Sequence, residues 1–480
     1  MLNILFVLYD NFFSNSAIHV HYLANNLVDL GFDCVVTIPG DKNTISALSD
    51  HLYKIANFRE IDNLKSLFNN QEKPDIVHVW TPREVVRQYY ERLKEKYNFK
   101  LVIHLEDNEE CILERFLKKT LVNCLNENDI LVPEGLSHPK KYRDFLAKAD
   151  GVTIIIDQLK KFVPSKTPTV TLWPGVDTKL FFPRKSDPTL AASLGVPLGS
   201  IVICYTGNAH PANAHEVRSI YLAVAMMNRK LRPTILIRTG RDYCDFLGSD
   251  DKWAKKYSLE LGFVERAKLP DILALADVLV QPGQGDDFNN YRFPSKLPDF
   301  LAMGKPVILP KSNIGCFMEH GKDALVLPRV DALSIFDYVN LLLKDQELYH
   351  RLSNNASYYA KNNLDWDKTT KQLKSFYETI HASNSQLKTA LKIDSKPKRQ
   401  IELEPLYLYK RQTQIELEEA HFQLQQTQIA LEQAYFQLQQ TQVAVEYAKE
   451  RIKAIESSKF WKIRMIWLRL KQLVGLKVDE

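Results

Sequence analysis

The sequence predicts an α/β protein built from two doubly wound, Rossmann-like halves that face each other across a cleft, with a long α-helical coiled coil appended. Three observations predict it. Short apolar runs alternate with helically spaced stretches between residues 4 and 156, and the alternation restarts after Pro183. Beyond residue 404 a fourteen-residue repeat replaces it. Short, uniformly apolar strands separated by helices belong in a parallel sheet covered on both faces.

In the first half, residues 4–9 form a strand, and 17–30 a helix (Val20, Leu23, Leu27, Leu30) that stops at Gly31. Further strands are expected at 34–38, 75–80, 100–105 and 151–156. In the second half the expected strands are 200–205, ending at Gly207, then 234–238, ending at Gly240, then 277–281 and 306–309. In such sheets ligands bind beyond the carboxyl ends of the strands, so two facing halves place a site between them. The expected division is 1–170 for the first half, 171–364 for the second, 365–382 for a closing helix and 383–404 for a polar linker. The repeats then span 405–456, and a basic aromatic helix spans 457–480.

The 480 residues suggest two or three units, and 45% hydrophobic with 25% charged residues are those of a soluble globular chain. The six cysteines (34, 111, 124, 204, 244 and 316) contain no CxxC pair, which indicates a reducing cytosol and no zinc site. The N-terminus lacks a basic region before its apolar run and reads as a first strand, not a signal peptide. No run of eighteen apolar residues is present to span a membrane. The net charge is +5, and residues 449–480 alone carry nine Lys/Arg against four Asp/Glu. The preceding body is therefore balanced, which argues against nucleic acid as a partner.

The three repeats begin at residues 407, 421 and 435, and fourteen residues make two heptads. Leu424, Leu431, Leu438 and Val445 form one apolar stripe; Phe422, Ile429, Phe436 and Val443 form another two residues earlier. Two residues turn a helix by about 200°, so the stripes lie on nearly opposite faces and call for self-association on both sides. The alternative is a loosely associated helical extension. Residues 457–476 mix Lys/Arg with Phe460, Trp461 and Trp467, which suits peripheral contact with an anionic membrane surface. The basic residues do not gather on one helical face, so docking onto protein is the rival reading.

The densest signal is FNNYRFPSKLPDFLAMGKPVILP (residues 288–310). It orders a loop, a helix start, a helix, a Gly304 stop and a buried strand. A helix N-terminus with Ser295 and Lys296 beside it suits a phosphate. The plainer reading is an ordinary α/β unit with proline at a helix start.

On these residues the chain resembles glycosyltransferase family 4, of the GT-B fold, over about residues 1–382. ADVLVQPG (276–283) followed by the segment above is the most specific part. Residues 14–39 are similar to the family's first loop, helix and second strand, and TLWPGVDTKLFFPR (171–184) to its linker. GFV (262–264) matches the loop that cradles the nucleotide base, and residues 365–380 are similar to the closing helix. The resemblance implies a retaining glycosyltransferase that moves a sugar from a nucleotide-sugar donor, held by the second half, to a glycan or lipid-linked acceptor on the first. A cytoplasmic location follows, at the inner face of the membrane if the tail binds there.

The family's residues carry over unevenly. Its two glutamates fall on Tyr291 and Asp299; Asp299 can still accept from ribose hydroxyls, while Tyr291 cannot supply the negative charge that the first glutamate brings near the donor sugar. Its Arg and Lys after the first strand of the second half fall on the neutral Asn208 and Asn213. Phe13-Ser14-Asn15 stands where a glycine pair is usual. Charge for the diphosphate is then expected from Lys296, with Arg292 and Arg238 as further candidates. The donor-binding set implied is Gly207, Asn208, Arg238, Gly240, Phe263, Val264, Tyr291, Arg292, Phe293, Pro294, Ser295, Lys296 and Asp299. On the acceptor side, the strand KLVIHL runs into Glu106-Asp107-Asn108-Glu109-Glu110. Asp107, Glu106 and His104 are the catalytic candidates, the carboxylates for binding a hydroxyl or taking its proton. His104 is equally readable as a core histidine. Asp365-Trp366-Asp367 reads as a helix cap, so neither a metal nor another cofactor is expected. Two alternatives stand beside this reading. One is a nucleotide-sugar epimerase of the same fold; the other is an inactive scaffold acting through its tail.

Overall fold

The computed structural model describes residues 1–48, 50–127, 130–230, 232–248 and 251–390, and beyond them only Lys449 and Ile466. The chain divides into two compact units, Met1–Leu391 and Lys392–Glu480, and the second falls almost wholly outside the described residues. The coiled-coil repeats and the basic aromatic segment therefore lie outside them.

Seven strands form the first sheet: β1 (Asn3–Val7), β2 (Asp33–Ile38), β3 (Lys54–Asn57), β4 (Ile76–Trp80), β5 (Lys100–Leu105), β6 (Gly151–Ile154) and β7 (Thr169–Thr171). Their order is β3-β2-β1-β4-β5-β6-β7, every pair parallel. The second half carries β8 (Ile201–Thr206), β9 (Thr234–Thr239), β10 (Ser258–Glu260), β11 (Val278–Val280), β12 (Gly283–Gln284), β13 (Val307–Pro310), β14 (Leu325–Leu327) and β15 (Arg329–Val330). Six of these make a parallel sheet in the order β10-β9-β8-β11-β13-β14, while β12 and β15 form a small antiparallel ribbon. In both sheets the strand order reverses direction, between β1 and β4 and between β8 and β11, which is where a doubly wound sheet opens a crevice.

The connecting helices are α1 (Asn15–Asp29), α2 (Leu64–Leu67), α3 (Glu84–Lys96), α4 (Glu109–Leu117), α5 (Leu121–Asn126) and α6 (Lys141–Ala147), then α7 (Pro188–Ser193), α8 (Ala214–Lys230), α9 (Asp251–Ala254), α10 (Leu269–Ala274), α11 (Leu297–Ala302), α12 (Ala332–Lys344), α13 (Gln346–Asn363) and α14 (Trp366–Ala390). Every residue of β1, β2, β4 and β8 is buried, which explains why those strands are mostly apolar instead of alternating. The strands unforeseen from the sequence are short: β3, β7, β10 and β14 at sheet edges, and the β12–β15 ribbon. β7 and β10 contain no buried residue, so neither leaves an apolar run to read.

An aspartate fixes three strand entries in the same way. Asp75 accepts from the Asn3 N–H, Asp150 from Leu101 and Asp277 from Val202, at 2.9, 2.8 and 2.8 Å. Each lies just before one strand and pins the first residues of its neighbour, so register is set where the sheet begins.

α14 crosses from the second half back onto the first. Its Tyr377 hydroxyl meets His78 Nδ1 at 2.6 Å, and a Cβ added to Gly151 would lie 2.6 Å from the Phe376 ring. Val176 N–H donates to the Leu364 carbonyl at 3.0 Å, so the two crossovers between the halves run side by side. Asp365 accepts from the Asp367 N–H at 2.8 Å at the start of α14, the geometry of a helix cap. The helix continues to Ala390, into the stretch expected as linker.

Candidate functional site

The loops that end β8, β9, β10 and β11 build one wall of the cleft. Gly207 ends β8 with φ +146°, and Gly240 follows β9 with φ +107°. The two backbones touch: a Cβ on Gly240 would lie 2.4 Å from the Gly207 carbonyl carbon and oxygen. Gly207 N–H donates to Thr239 O at 3.0 Å, and Gly240 N–H to Gly262 O at 2.7 Å. Glycine is thus required at 240 by both conformation and contact.

Lys296 reaches over this glycine floor. A Cβ on Gly207 would meet its Cε and Nζ at 3.0 Å. Its ammonium donates to the Tyr205 hydroxyl at 3.1 Å and to Gln281 Oε1 at 3.3 Å, and stands 4.3 Å from the Tyr205 ring centroid. Burial, then the neighbouring Arg292 charge, pushes the ammonium down to about 7. The lysine is held by neutral acceptors, and among the described residues no carboxylate is hydrogen-bonded to it.

Arg292 lies beside it. Its guanidinium donates to Asn289 Oδ1 at 3.1 Å, faces Glu216 at 3.6 Å and covers the Phe288 ring at 4.1 Å. The other face of this cluster comes from the first half. Arg115 of α4 covers the same Phe288 ring at 4.6 Å, donates to the Ala212 carbonyl at 3.0 Å and faces Asp286 at 3.6 Å. His210 registers all three cations: burial first, then Arg292, Lys296 and Arg115, push its imidazole down to about 4. Three positive side chains thus converge beyond the end of β8.

The remaining donor-side candidates have other surroundings. Arg238 is 1% exposed and pairs with Asp242 at 2.5 Å and Glu260 at 3.2 Å, so its charge is neutralised by carboxylates just after β9 and on β10. Asp299 is held by both guanidinium branches of Arg266, each at 3.0 Å, which uses one acceptor site on each of its oxygens. Asn208 accepts from the Arg241 N–H at 2.8 Å, while Asn213 donates to the Asn208 carbonyl at 3.0 Å and accepts from the His210 N–H at 2.9 Å. Of the two asparagines at the positions of the usual cations, Asn213 therefore ties its own loop together and Asn208 joins it to the loop after β9.

Phe293 packs on Trp173 with centroids 6.0 Å apart, and Pro294 is buried behind the half-buried Ser295. Tyr291 bridges the halves, its hydroxyl 3.3 Å from Lys161 Nζ and its ring edge-on to Phe162 at 5.4 Å. Phe263 is 56% exposed and meets Phe13 of the first half edge-to-face at 6.3 Å, with Val264 half-buried after it. The aromatic that stands in for the family's glycine pair thus faces the expected base loop across the cleft.

The helix start at 296–297 is weaker than the sequence suggests. α11 is only six residues long, Pro298 contributes no N–H, and the Leu297 N–H donates to Pro294 O at 3.0 Å. Anion binding here rests on side chains more than on a helix dipole.

On the opposite wall, β5 ends at Leu105 and delivers two carboxylates with different environments. Glu106 is buried and accepts from Trp80 Nε1 at 2.6 Å, from the Ser16 hydroxyl, and meets His19 Nδ1 at 3.2 Å. Burial alone raises its carboxyl. The hydrogen bond and charge of His19, with His104 and Ser16, outweigh that and hold it at about 2. Asp107 is half-buried and makes no hydrogen bond or ion pair among the described residues. Burial, with the charges of Glu106 and Glu109, pushes it up to about 7 against the pull of Arg83 and Arg292. Arg292 belongs to the other half, so Asp107 faces it across the cleft. Such a split between adjacent carboxylates marks a structural anion beside a group able to exchange a proton.

His104 sits behind this pair, 1% exposed, stacked on Trp80 at 3.8 Å with Nδ1 2.7 Å from Thr153 Oγ1. The structure places it in the packed interior, where it supports Glu106. Among the described residues no group of three or more His, Cys, Asp or Glu is placed to hold a metal ion, and no helix is long and apolar enough to cross a membrane. Sequence reasoning missed Arg115, His210 and the His19–Ser16–Trp80 cradle of Glu106, because each joins the site from a separate element with no local spacing to mark it.

No family model matches the chain, and none of the curated proteins does. Solved structures do match. A sucrose-phosphate synthase from Thermosynechococcus elongatus is similar with a TM-score of 0.59 at 15% identity, over 80% of this chain and 100% of that one. Anabaena HepE, solved in complex with UDP and glucose, gives 0.59 at 15% identity over 79% of this chain and 100% of its own. WaaG, a glycosyltransferase involved in lipopolysaccharide biosynthesis, gives 0.55 at 14% over 77% and 98%. With this likeness and its two parallel sheets, the described chain has the GT-B fold that its sequence resemblance implies.

Proposed function

We propose that the chain is a retaining glycosyltransferase of the hexosyl type, moving a sugar from a nucleotide-sugar donor to a glycan or lipid-linked acceptor. One observation carries the reading: Lys296 stands over the glycine floor of the second half with Arg292 beside it, and Arg292 is near enough to Asp107 of the first half to pull on its carboxyl. The solved HepE complexes contain UDP or UDP-glucose, which makes a uridine nucleotide the first donor to test.

The proposed chemistry follows from charge. The acceptor hydroxyl oxygen forms the new bond to the sugar's anomeric carbon. The bond from that carbon to the diphosphate breaks, and its electron pair leaves with the phosphate oxygen. Lys296 and Arg292 stabilise that developing charge in a site of low dielectric, supplying the positive charge a divalent cation would otherwise bring. Asp107 accepts a hydrogen bond from the acceptor hydroxyl and orients it, and the hydroxyl proton passes to the leaving phosphate on the same face. No covalent intermediate is required. Phe263 and Phe13 offer exposed rings for the base.

The test is acceptor-dependent release of nucleoside diphosphate from uridine, guanosine and adenosine sugars, with product configuration read by NMR. Retention of the donor's anomeric configuration supports the reading; inversion removes it. The two titrating groups also fix the pH profile. Asp107 must be ionised and Lys296 protonated, and both lie near 7 in the empty site. kcat/KM, which reports the free enzyme, is expected to peak near pH 7 and fall on both sides. Asp107→Asn should lower kcat by about 10- to 100-fold, as for loss of the charge-assisted hydrogen bond that orients the hydroxyl, and flatten the acid limb. An acid limb that survives Asp107→Asn assigns it to another group.

A further inference from the structure

We infer that Arg115, on α4 of the acceptor-side half, binds the donor diphosphate across the closed cleft and supplies the cation that the β8–α8 loop lacks. The inference rests on the glycosyltransferase reading and names a binding residue that the sequence resemblance does not assign.

Two facts about the β8–α8 loop motivate it. The loop carries the neutral Asn208 and Asn213 where a charged pair is expected; Asn213 is engaged in holding the loop itself, and Asn208 accepts from Arg241 N–H on the loop after β9. Yet a guanidinium stands against this loop, because Arg115 donates to the Ala212 carbonyl at 3.0 Å. A cation absent from the loop's own sequence arrives from the opposite half.

The geometry suits a phosphate. Phe288 is 5% exposed and is covered by two guanidiniums, Arg115 at 4.6 Å and Arg292 at 4.1 Å. Each arginine faces its nearest carboxylate, Asp286 and Glu216 respectively, at 3.6 Å, longer than a charge-assisted hydrogen bond. Arginine has five N–H donors, and the Ala212 contact uses one. The side chain is 35% exposed, so its remaining donors are open to a ligand. Lys296 completes the set over Gly207, and the lowered His210 imidazole reports all three charges in one place.

α4 also links the two chemistries. Asn108 caps it, accepting from the Cys111 N–H at 3.2 Å, and donates to the Asp287 carbonyl at 3.1 Å. Asp107 lies one residue before that cap and Arg115 two turns after it. One short helix thus carries both the acceptor-orienting carboxylate at its start and the third cation two turns on.

The test compares Arg115→Ala and Arg115→Lys with wild type as full-length chains. Binding is measured by calorimetry for whichever of UDP, GDP and ADP the wild-type chain binds most tightly, and for the matching monophosphate. Arg115→Ala is expected to weaken the diphosphate by about 10- to 100-fold, as for loss of a charge-assisted contact, and to weaken the monophosphate far less. Arg115→Lys should recover part of the loss, and the thermal transition should not shift. A diphosphate affinity unchanged in Arg115→Ala, or mono- and diphosphate affinities lowered by the same factor, overturns the inference and leaves the glycosyltransferase reading intact. A wild-type chain that binds none of the three overturns both.

Discussion

Lys296→Met is expected to weaken nucleoside diphosphate binding by about 10- to 150-fold, the loss of 1.5–3 kcal/mol assigned to a charge-assisted hydrogen bond. It should also make the empty protein more stable. The ammonium is pushed down to about 7 by burial and by Arg292, from an ordinary lysine value of 10.5. A group whose folded value lies below its unfolded one binds fewer protons when folded between pH 7 and 10.5, so stability rises with pH across that window. Below pH 7 the folded chain carries a charge that its surroundings disfavour in full. Methionine removes that charge while filling much of the same volume over Gly207. The thermal midpoint at pH 7 should therefore hold or rise while binding falls. A lysine that merely braces the fold would lower the midpoint and leave binding unchanged, and that outcome removes Lys296 from the site. Wild-type binding at pH 8 should take up a proton as the diphosphate restores the ammonium. Titrations in buffers of different ionisation enthalpy read this directly.

Gly240→Ala is expected to cost about 3 kcal/mol or more, combining backbone strain at positive φ with overpacking, each worth roughly 1–3 kcal/mol. The methyl group would enter 2.4 Å from the Gly207 carbonyl, which is backbone and cannot swing aside. Relief requires the β8 and β9 loops to part. That would break the Gly240 N–H bond to Gly262 O at 2.7 Å and lift Gly207 away from Lys296. The midpoint should fall by about 6–12 °C for a domain of this size. Diphosphate binding should fall with it, since the floor and the base loop move together. Gly31→Ala is the control, because Gly31 also has positive φ, +88°, but its Cβ meets nothing within 4 Å. A Gly240→Ala midpoint no lower than that of Gly31→Ala contradicts the close contact.

The central strands were legible in the sequence because burial on both faces makes them mostly apolar. β5 was placed to the residue and most others within one or two. The edge strands were not legible, since a strand such as Thr169–Thr171, without a buried residue, is set by its neighbour's hydrogen bonds and not by its own composition. Lys296 and Arg292 were legible because one short segment carries both. Arg115 was not, since nothing in ILERFLKK says that the fourth residue reaches another domain. The surroundings of Arg238 were hidden for a similar reason, as Glu260 arrives from the neighbouring strand. The helix start was overvalued because the sequence shows a proline and a lysine but not how few N–H groups remain free. Asp107 stood among four acidic residues in five, and what separates it from Glu106 is the set of partners from distant elements, Trp80, Ser16 and His19, that only Glu106 receives.

The central claim is that the second half holds the diphosphate of a nucleotide sugar. Calorimetric titration of the full-length chain at pH 7 with UDP, GDP and ADP tests it most directly. The account predicts saturable binding of one equivalent of at least one of them, weakened by Lys296→Met. Absence of binding by all three, in a chain that shows a cooperative thermal transition, would contradict it.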